Sequence, residues 1–226
     1  MPTITVHHLE TSRSHRVLWL MEELELEYEL KRYSRNAKTF RADPALKGVF
    51  PLGRAPLVQL DDVVLAESGN ILEGVIDRVG EGRLRPDPGT PEAEWYRFFL
   101  HYAEGSLMSP LLVSLILGKM VDGVPFFIRP LIKGVVGAVN AQFTQGEFDA
   151  HFGFVEAHLG QHEWMTGDAL TAADVQMIYP LAAGPLRAGL TRQSHPNIFR
   201  WLDACQSRPA YKRALEKGGP LFPSNA

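Results

Sequence analysis

The chain has 226 residues, enough for two small domains or one large one. A formal charge of −3 and a pI near 6.2 lack the clustered basic excess that phosphate neutralisation needs, so nucleic acid is not an expected partner. One cysteine, Cys205, excludes an internal disulfide framework, and the opening stretch from Pro2 to His8 has neither the basic region nor the apolar run of a secretory signal. The longest uncharged segment, Gly105 to Gly118, has 14 residues against the roughly 20 that a membrane span requires. It therefore reads as a buried helix, with no stable membrane insertion, and the chain as cytoplasmic.

In chain order, residues 3–9 alternate well enough for a first strand with Ile4, Val6 and His8 on one face. After a polar break, Val17 to Leu24 has the spacing of an amphipathic helix with Val17, Leu18, Met21 and Leu24 on its apolar side. Thr11, Ser12 and Ser14 sit at that helix's N-terminus. Tyr28 to Tyr33 reads as a second strand and Asn36 to Lys47 as a loop with a short helix. Leu57–Leu60 and Val63–Leu65 form a hairpin around Asp61-Asp62, and a helix starts at Ser68. This is the element order of an α/β thioredoxin-like domain, assigned to residues 1–82.

The Gly/Pro-rich stretch from Gly80 to Gly89 marks the boundary, and residues 90–226 read as an all-helical domain. Thr90-Pro91-Glu92 is a helix start with Pro early and acids in the first turn. Trp95 to Val121 is expected to be one long core helix bent near Pro110. Thr171 and Asp174 have the spacing of a capping box, with Leu170 and Val175 as its hydrophobic staple. Two short helices, from Pro196 and from Pro209, end the chain.

The stretch from Phe50 to Leu72 carries the chemistry. Pro56 opens a strand, one of the few places where a sheet tolerates proline. If the Ala55-Pro56 bond is cis, the N–H and C=O of Ala55 turn outward to pair with an extended ligand. Ser68 is an N-cap candidate, and the free N–H groups behind it make an anion site. Capping explains Ser68 and leaves Glu67 without a reason. His151, His158 and His162 share a helical face, but no Glu completes a His-Glu-x-x-His pattern and Gly160 weakens the helix, so a solvated His-rich face is expected and no metal. Cys205 falls in the apolar pattern of Ile198, Trp201 and Leu202 and reads as a small buried residue.

The strand-opening Pro56, the Glu67-Ser68 pair a dozen residues later, the linker and the capping box resemble the cytosolic glutathione S-transferase family, in order and over nearly the whole chain. Ser12-Arg13 before Trp19-Leu20-Met21 is most similar to its bacterial and fungal branch. The resemblance implies a homodimer that takes glutathione as co-substrate and attacks a small hydrophobic electrophile or a peroxide with its thiolate; disulfide reduction stays open. It further implies that the backbone of Ala55 beside Pro56 pairs with the cysteinyl unit. Glu67 and Ser68 would hold the γ-glutamyl end, and Arg54 would lie near the glycyl carboxylate. A thiol of pKa about 8.5 must be held as thiolate, which a hydroxyl donor and a helix N-terminus both favour. Ser12 is the first candidate donor and Thr11 its rival, Thr11 standing five residues before Arg16 as in several serine-type classes. Arg13 either steers an anion or is solvated. Tyr96, Phe99, Tyr102 and Ser106 either line the electrophile pocket or belong to the core. A non-catalytic ligand-binding scaffold on the same fold is the alternative.

Overall fold

A computed structural model describes residues 2–36, 39 and 41–223. The centre of its N-terminal part is β1 (Ile4–Leu9), all six residues of which are buried. It pairs in parallel with β2 (Glu29–Tyr33) and antiparallel with β3 (Leu57–Leu60), and β3 turns through Asp61-Asp62 into β4 (Val63–Ala66). The strand order is therefore β2-β1-β3-β4, with the hairpin formed where the two apolar runs predict it. The expected loop helix is a 3-10 turn at Pro44–Gly48; Ala37, Lys38 and Phe40 of the same stretch lie outside the described residues.

The crossover helix α1 (His15–Glu23) is not amphipathic in place: every residue from His15 to Glu22 is buried. The reason is the C-terminal helix α9 (Pro209–Gly218), which packs along α1. Glu22 takes Arg213 Nε at 2.8 Å and Lys217 Nζ at 2.5 Å, while Glu23 takes Arg208, so the polar face of α1 is sealed by ion pairs. The fourth element of the hairpin side is α2 (Ser68–Arg78).

In the helical part, Thr90 caps α3 (Pro91–Tyr102), its hydroxyl accepting from Ala93 N–H at 3.2 Å. The expected single long helix is instead α3, a π-helical segment at Ala103–Leu107, and α4 (Met108–Asp122). Nor is its distal half core: α4 buries only Met108, Pro110 and Leu111, and Leu112, Val113, Ile116 and Met120 are 42–51% exposed. There α4 has left the body of the molecule and leans on α5 (Arg129–Val139), which exposes Leu131 and Val135 in turn. The whole stretch Pro91–Asp122 is long and apolar enough, by length and composition, to cross a membrane, although its first half feeds Tyr96, Phe99 and Leu100 into the core.

After α6 (Gln145–Leu159), α7 (Ala172–Arg187) runs through the middle of the molecule. Its capping box is formed, and the Asp174 carboxylate also accepts from Met165 N–H and Trp201 Nε1–H, both at 2.9 Å. Trp201 and Cys205 are fully buried on α8 (Pro196–Ser207).

Candidate functional site

At the end of β1 the ladder to β3 stops at His7, so Leu9 has no strand on that side to satisfy its N–H and C=O. The turn into α1 supplies the partners. Ser14 Oγ accepts from Leu9 N–H at 3.1 Å, Ser12 Oγ lies 2.8 Å from Leu9 O, and the two hydroxyl oxygens are 2.8 Å apart. Ser14 Oγ also lies 2.9 Å from His8 Nδ1, whose other ring nitrogen donates to the carbonyl of Gly218 at 2.9 Å. Ser14 is therefore not the simple helix cap that its position suggests: its hydroxyl makes no cap bond. Thr11, next to this cluster, is half-buried, has φ +45°, and among the described residues its hydroxyl has no hydrogen-bond partner. Non-glycine residues at positive φ are uncommon and concentrate at functional sites.

Across the sheet, the Ala55-Pro56 bond is cis, and among the described residues neither the N–H nor the C=O of Ala55 has a partner. Pro56 is buried, Arg54 is exposed beside it, and a shallow concavity joins Arg54, Ala55 and Pro56 to Glu67. Glu67 has φ +69°, also left-handed, and its exposed side chain makes no cap bond. Ser68 is thus the first residue of α2, not its cap. The N–H groups of Ser68, Gly69 and Asn70 have no acceptor among the described residues, as expected for a helix start.

Ser68 is where the elements meet. Its buried Oγ accepts from Arg16 Nη1 at 3.2 Å and from Gln176 Nε2 at 3.1 Å, one donor from α1 and the other from α7. The Gln176 amide is oriented by its second neighbour, the carbonyl of Leu100 at 3.4 Å, which can only accept. With both lone pairs of Ser68 used, its own proton is left to donate outward. Arg16 is fully buried; burial pushes its guanidinium pKa down, and Glu104, 2.5 Å away, opposes that. Glu104 also holds Arg13, at 3.1 Å, and both arginines lie over the Tyr179 ring, at 5.8 and 5.5 Å. Arg13 therefore faces the helical part, its side chain 38% exposed beside Glu104 and Tyr179.

The expected electrophile pocket is not brought together. Tyr96 and Phe99 are core, 4% and 0% exposed, with Phe99 packed on Trp95 and His158. Tyr102 is buried and turns to α6, its hydroxyl 2.7 Å from His151 Nδ1; Ser106 is half-buried in the π-helical segment. Aromatics at helical spacing fill this core because α6 packs against α3 with Phe154 and His158. His158, predicted on a solvated face, is buried and bonded to Met165 O at 2.9 Å. Sequence reasoning missed Arg16, Glu104, Gln176 and Tyr179; the one available signal was a charge, Arg16, directly before the apolar run Val17–Met21.

Residues 1–75 match the glutathione S-transferase N-terminal domain and residues 137–218 the glutathione S-transferase C-terminal domain. Glutathione S-transferase 1 of Saccharomyces cerevisiae is 35% identical over 229 residues, covering 98% of this chain and 97% of its own. Glutathione S-transferase 3 of Schizosaccharomyces pombe is 35% identical over 214 residues, covering 95% and 87%. A crystal structure of a glutathione S-transferase from Actinobacillus pleuropneumoniae superposes with a TM-score of 0.81 at 35% identity, covering 99% of this chain and 98% of that one. With the backbone of Ala55 unpaired among the described residues beside a cis proline, N–H groups without an acceptor at the start of α2, and relatives matched end to end, the chain belongs to the glutathione S-transferase family.

Proposed function

We propose that this glutathione transferase lays glutathione across the open edge at Ala55, with its γ-glutamyl end on Glu67 and Ser68, its glycyl carboxylate near Arg54, and its sulfur at the β1–α1 turn. The observation that carries the reading is Ser68: two buried donors fill its lone pairs, so its proton is available to a ligand carboxylate. Glu67, strained and exposed, would meet the ammonium beside that carboxylate. Residues 1–82 are taken as the glutathione domain and 90–226 as the helical domain, which presents Tyr179, with Phe222 packed on it at 5.1 Å, toward the electrophile. That replaces Tyr96 and Phe99 as pocket lining.

Ser12 is assigned as the hydroxyl that stabilises the thiolate. Its Oγ already accepts from Ser14 N–H at 3.1 Å, which polarises the O–H and strengthens it as a donor once it turns to sulfur. Thr11 is the second reading, favoured by its left-handed backbone and by a hydroxyl without a partner among the described residues. Conjugation of glutathione to 1-chloro-2,4-dinitrobenzene, and reduction of cumene hydroperoxide, test the reading in wild type, Ser12→Ala and Thr11→Ala. Loss of turnover in Ser12→Ala with glutathione affinity kept supports Ser12; loss only in Thr11→Ala transfers the role. Glutathione binding with no turnover on either substrate in wild type would favour a carrier. We take the protein to be a cytosolic homodimer, a reading supported by the apolar residues exposed on α4 and α5; light scattering tests the mass.

A further inference from the structure

The Ser12, Ser14 and His8 cluster holds two hydroxyl protons for three inward acceptor sites: Leu9 O, His8 Nδ1, and the oxygen of whichever hydroxyl is not donating. All three side chains are 5% exposed or less. His8 Nε2 must carry a proton, because the atom 2.9 Å from it is the Gly218 carbonyl oxygen, which can only accept. In the neutral ring Nδ1 is then an acceptor, and Ser14 donates to it. That leaves the Ser12 proton to satisfy Leu9 O. If Ser12 turns its only proton to a thiolate, Leu9 O is orphaned, or Ser14 turns to Leu9 O and His8 Nδ1 is orphaned. Either leaves a buried acceptor unpaired, which costs stability.

One rearrangement leaves nothing unpaired. With Nδ1 protonated, His8 donates to Ser14 Oγ, Ser14 donates to Leu9 O, 3.0 Å away, and Ser12 is free to donate outward. We propose that His8 is the acceptor of the glutathione thiol proton, reached through Ser12 and Ser14. The inference rests on the assignment of the sulfur to Ser12. The balance is closed: the S–H proton passes to Ser12 Oγ, the Ser12 proton to Ser14 Oγ, and the Ser14 proton to His8 Nδ1. A thiolate and an imidazolium result, with no proton gained or lost by the complex.

The surroundings hold His8 neutral until sulfur arrives. Burial lowers its pKa first, and Arg32, opposite it on β2, lowers it too; the Gly218 carbonyl, Ser14 and Glu10 act the other way. His15 on α1 is a further ionisable neighbour. An adjacent thiolate adds the negative charge that this balance lacks. His8 is thus a positioning residue and proton store, acting through Ser14.

The test is proton inventory. Glutathione and S-methylglutathione are titrated into wild type near pH 7 by calorimetry in buffers of different ionisation enthalpy, with thiolate read by its ultraviolet absorbance. S-methylglutathione, which has no thiol proton, corrects for every other group. The proposal predicts thiolate with no extra proton released relative to S-methylglutathione, and a large upfield shift of His8 Nδ1 in 15N spectra as it is protonated. Release of about one proton per thiolate would overturn it, since the proton would then be in solvent. In His8→Gln, which can still bridge Gly218 and Ser14 but cannot take a proton, the thiolate should form at higher pH and with that release; unchanged thiolate formation also overturns the proposal. The wild-type experiment needs no variant to fold. Thiolate that persists unchanged in Ser12→Ala would instead refute the assignment of Ser12 and remove the wire with it.

Discussion

Ser68→Ala separates the two things that hydroxyl does. Outward, on the proposed reading, it offers a proton to the ligand carboxylate, and a hydrogen bond to a charged group is worth about 1.5–3 kcal/mol, or roughly a 10- to 150-fold loss of glutathione affinity. Inward, it accepts from Arg16 and Gln176. Both keep a second partner, Glu104 at 2.5 Å and Leu100 O at 3.4 Å, so the stability loss should stay near the low end of the roughly 1–3 kcal/mol for an orphaned donor. Calorimetric titration with glutathione, and with γ-aminobutyryl-cysteinyl-glycine, which lacks the γ-glutamyl carboxylate but keeps the ammonium and the rest, isolates the outward term. Wild type should bind the truncated peptide much more weakly than glutathione, and Ser68→Ala should narrow that gap by the full 10- to 150-fold. A variant that discriminates between the peptides as well as wild type does would show that the carboxylate lies elsewhere, and the orientation of glutathione argued above would be wrong.

His15 is 1% exposed, neither of its ring nitrogens has a partner among the described residues, and burial holds its pKa at about 4. The unfolded chain protonates it near 6.5, so its stabilising contribution is complete above that pH and falls as pH drops toward 4, by about 3 kcal/mol. Urea unfolding of wild type and His15→Phe at pH 7 and pH 4.5 should show the difference; parallel pH dependences would contradict it. Asp174→Ala removes the acceptor of Met165 N–H, Thr171 N–H and Trp201 Nε1–H together, and should destabilise by about 3 kcal/mol or more, whereas a loss under about 1 kcal/mol would mean that these buried donors are satisfied otherwise. Cys205→Ala should leave turnover unchanged, because that thiol is fully buried with its pKa raised by burial; an inactive but folded variant would implicate a protein thiol in the chemistry.

What was legible in the sequence was local. The Asp61-Asp62 hairpin, the Thr90 cap, the Thr171/Asp174 box and the strand-opening Pro56 depend on residues within a few positions of one another, and each formed where its spacing placed it. Glu67 was legible in a weaker way, as a residue that capping could not explain. The contacts that make the site are not local: Arg16 reaches Ser68 across 52 positions and Gln176 reaches it across 108. Period and propensity carry no information at that range. The same limit accounts for α1, whose polar face is covered by a helix nearly two hundred residues downstream, and for Phe99, whose spacing fits a pocket wall as well as a core until α6 is seen to cover it. The exposed run on α4 shows the converse, since an apolar stretch says that burial is favourable and not that the fold supplies a cover.

On the proposed assignment, the β1–α1 turn holds the glutathione sulfur as thiolate through Ser12. An ultraviolet difference titration with glutathione across pH, on wild type, Ser12→Ala and Thr11→Ala, tests it most directly. The account predicts thiolate absorbance in wild type well below the pH at which free glutathione ionises, and an upward shift of that transition in Ser12→Ala with little change in Thr11→Ala. A shift in Thr11→Ala alone would move the role one residue, and glutathione bound without thiolate in wild type would contradict the account.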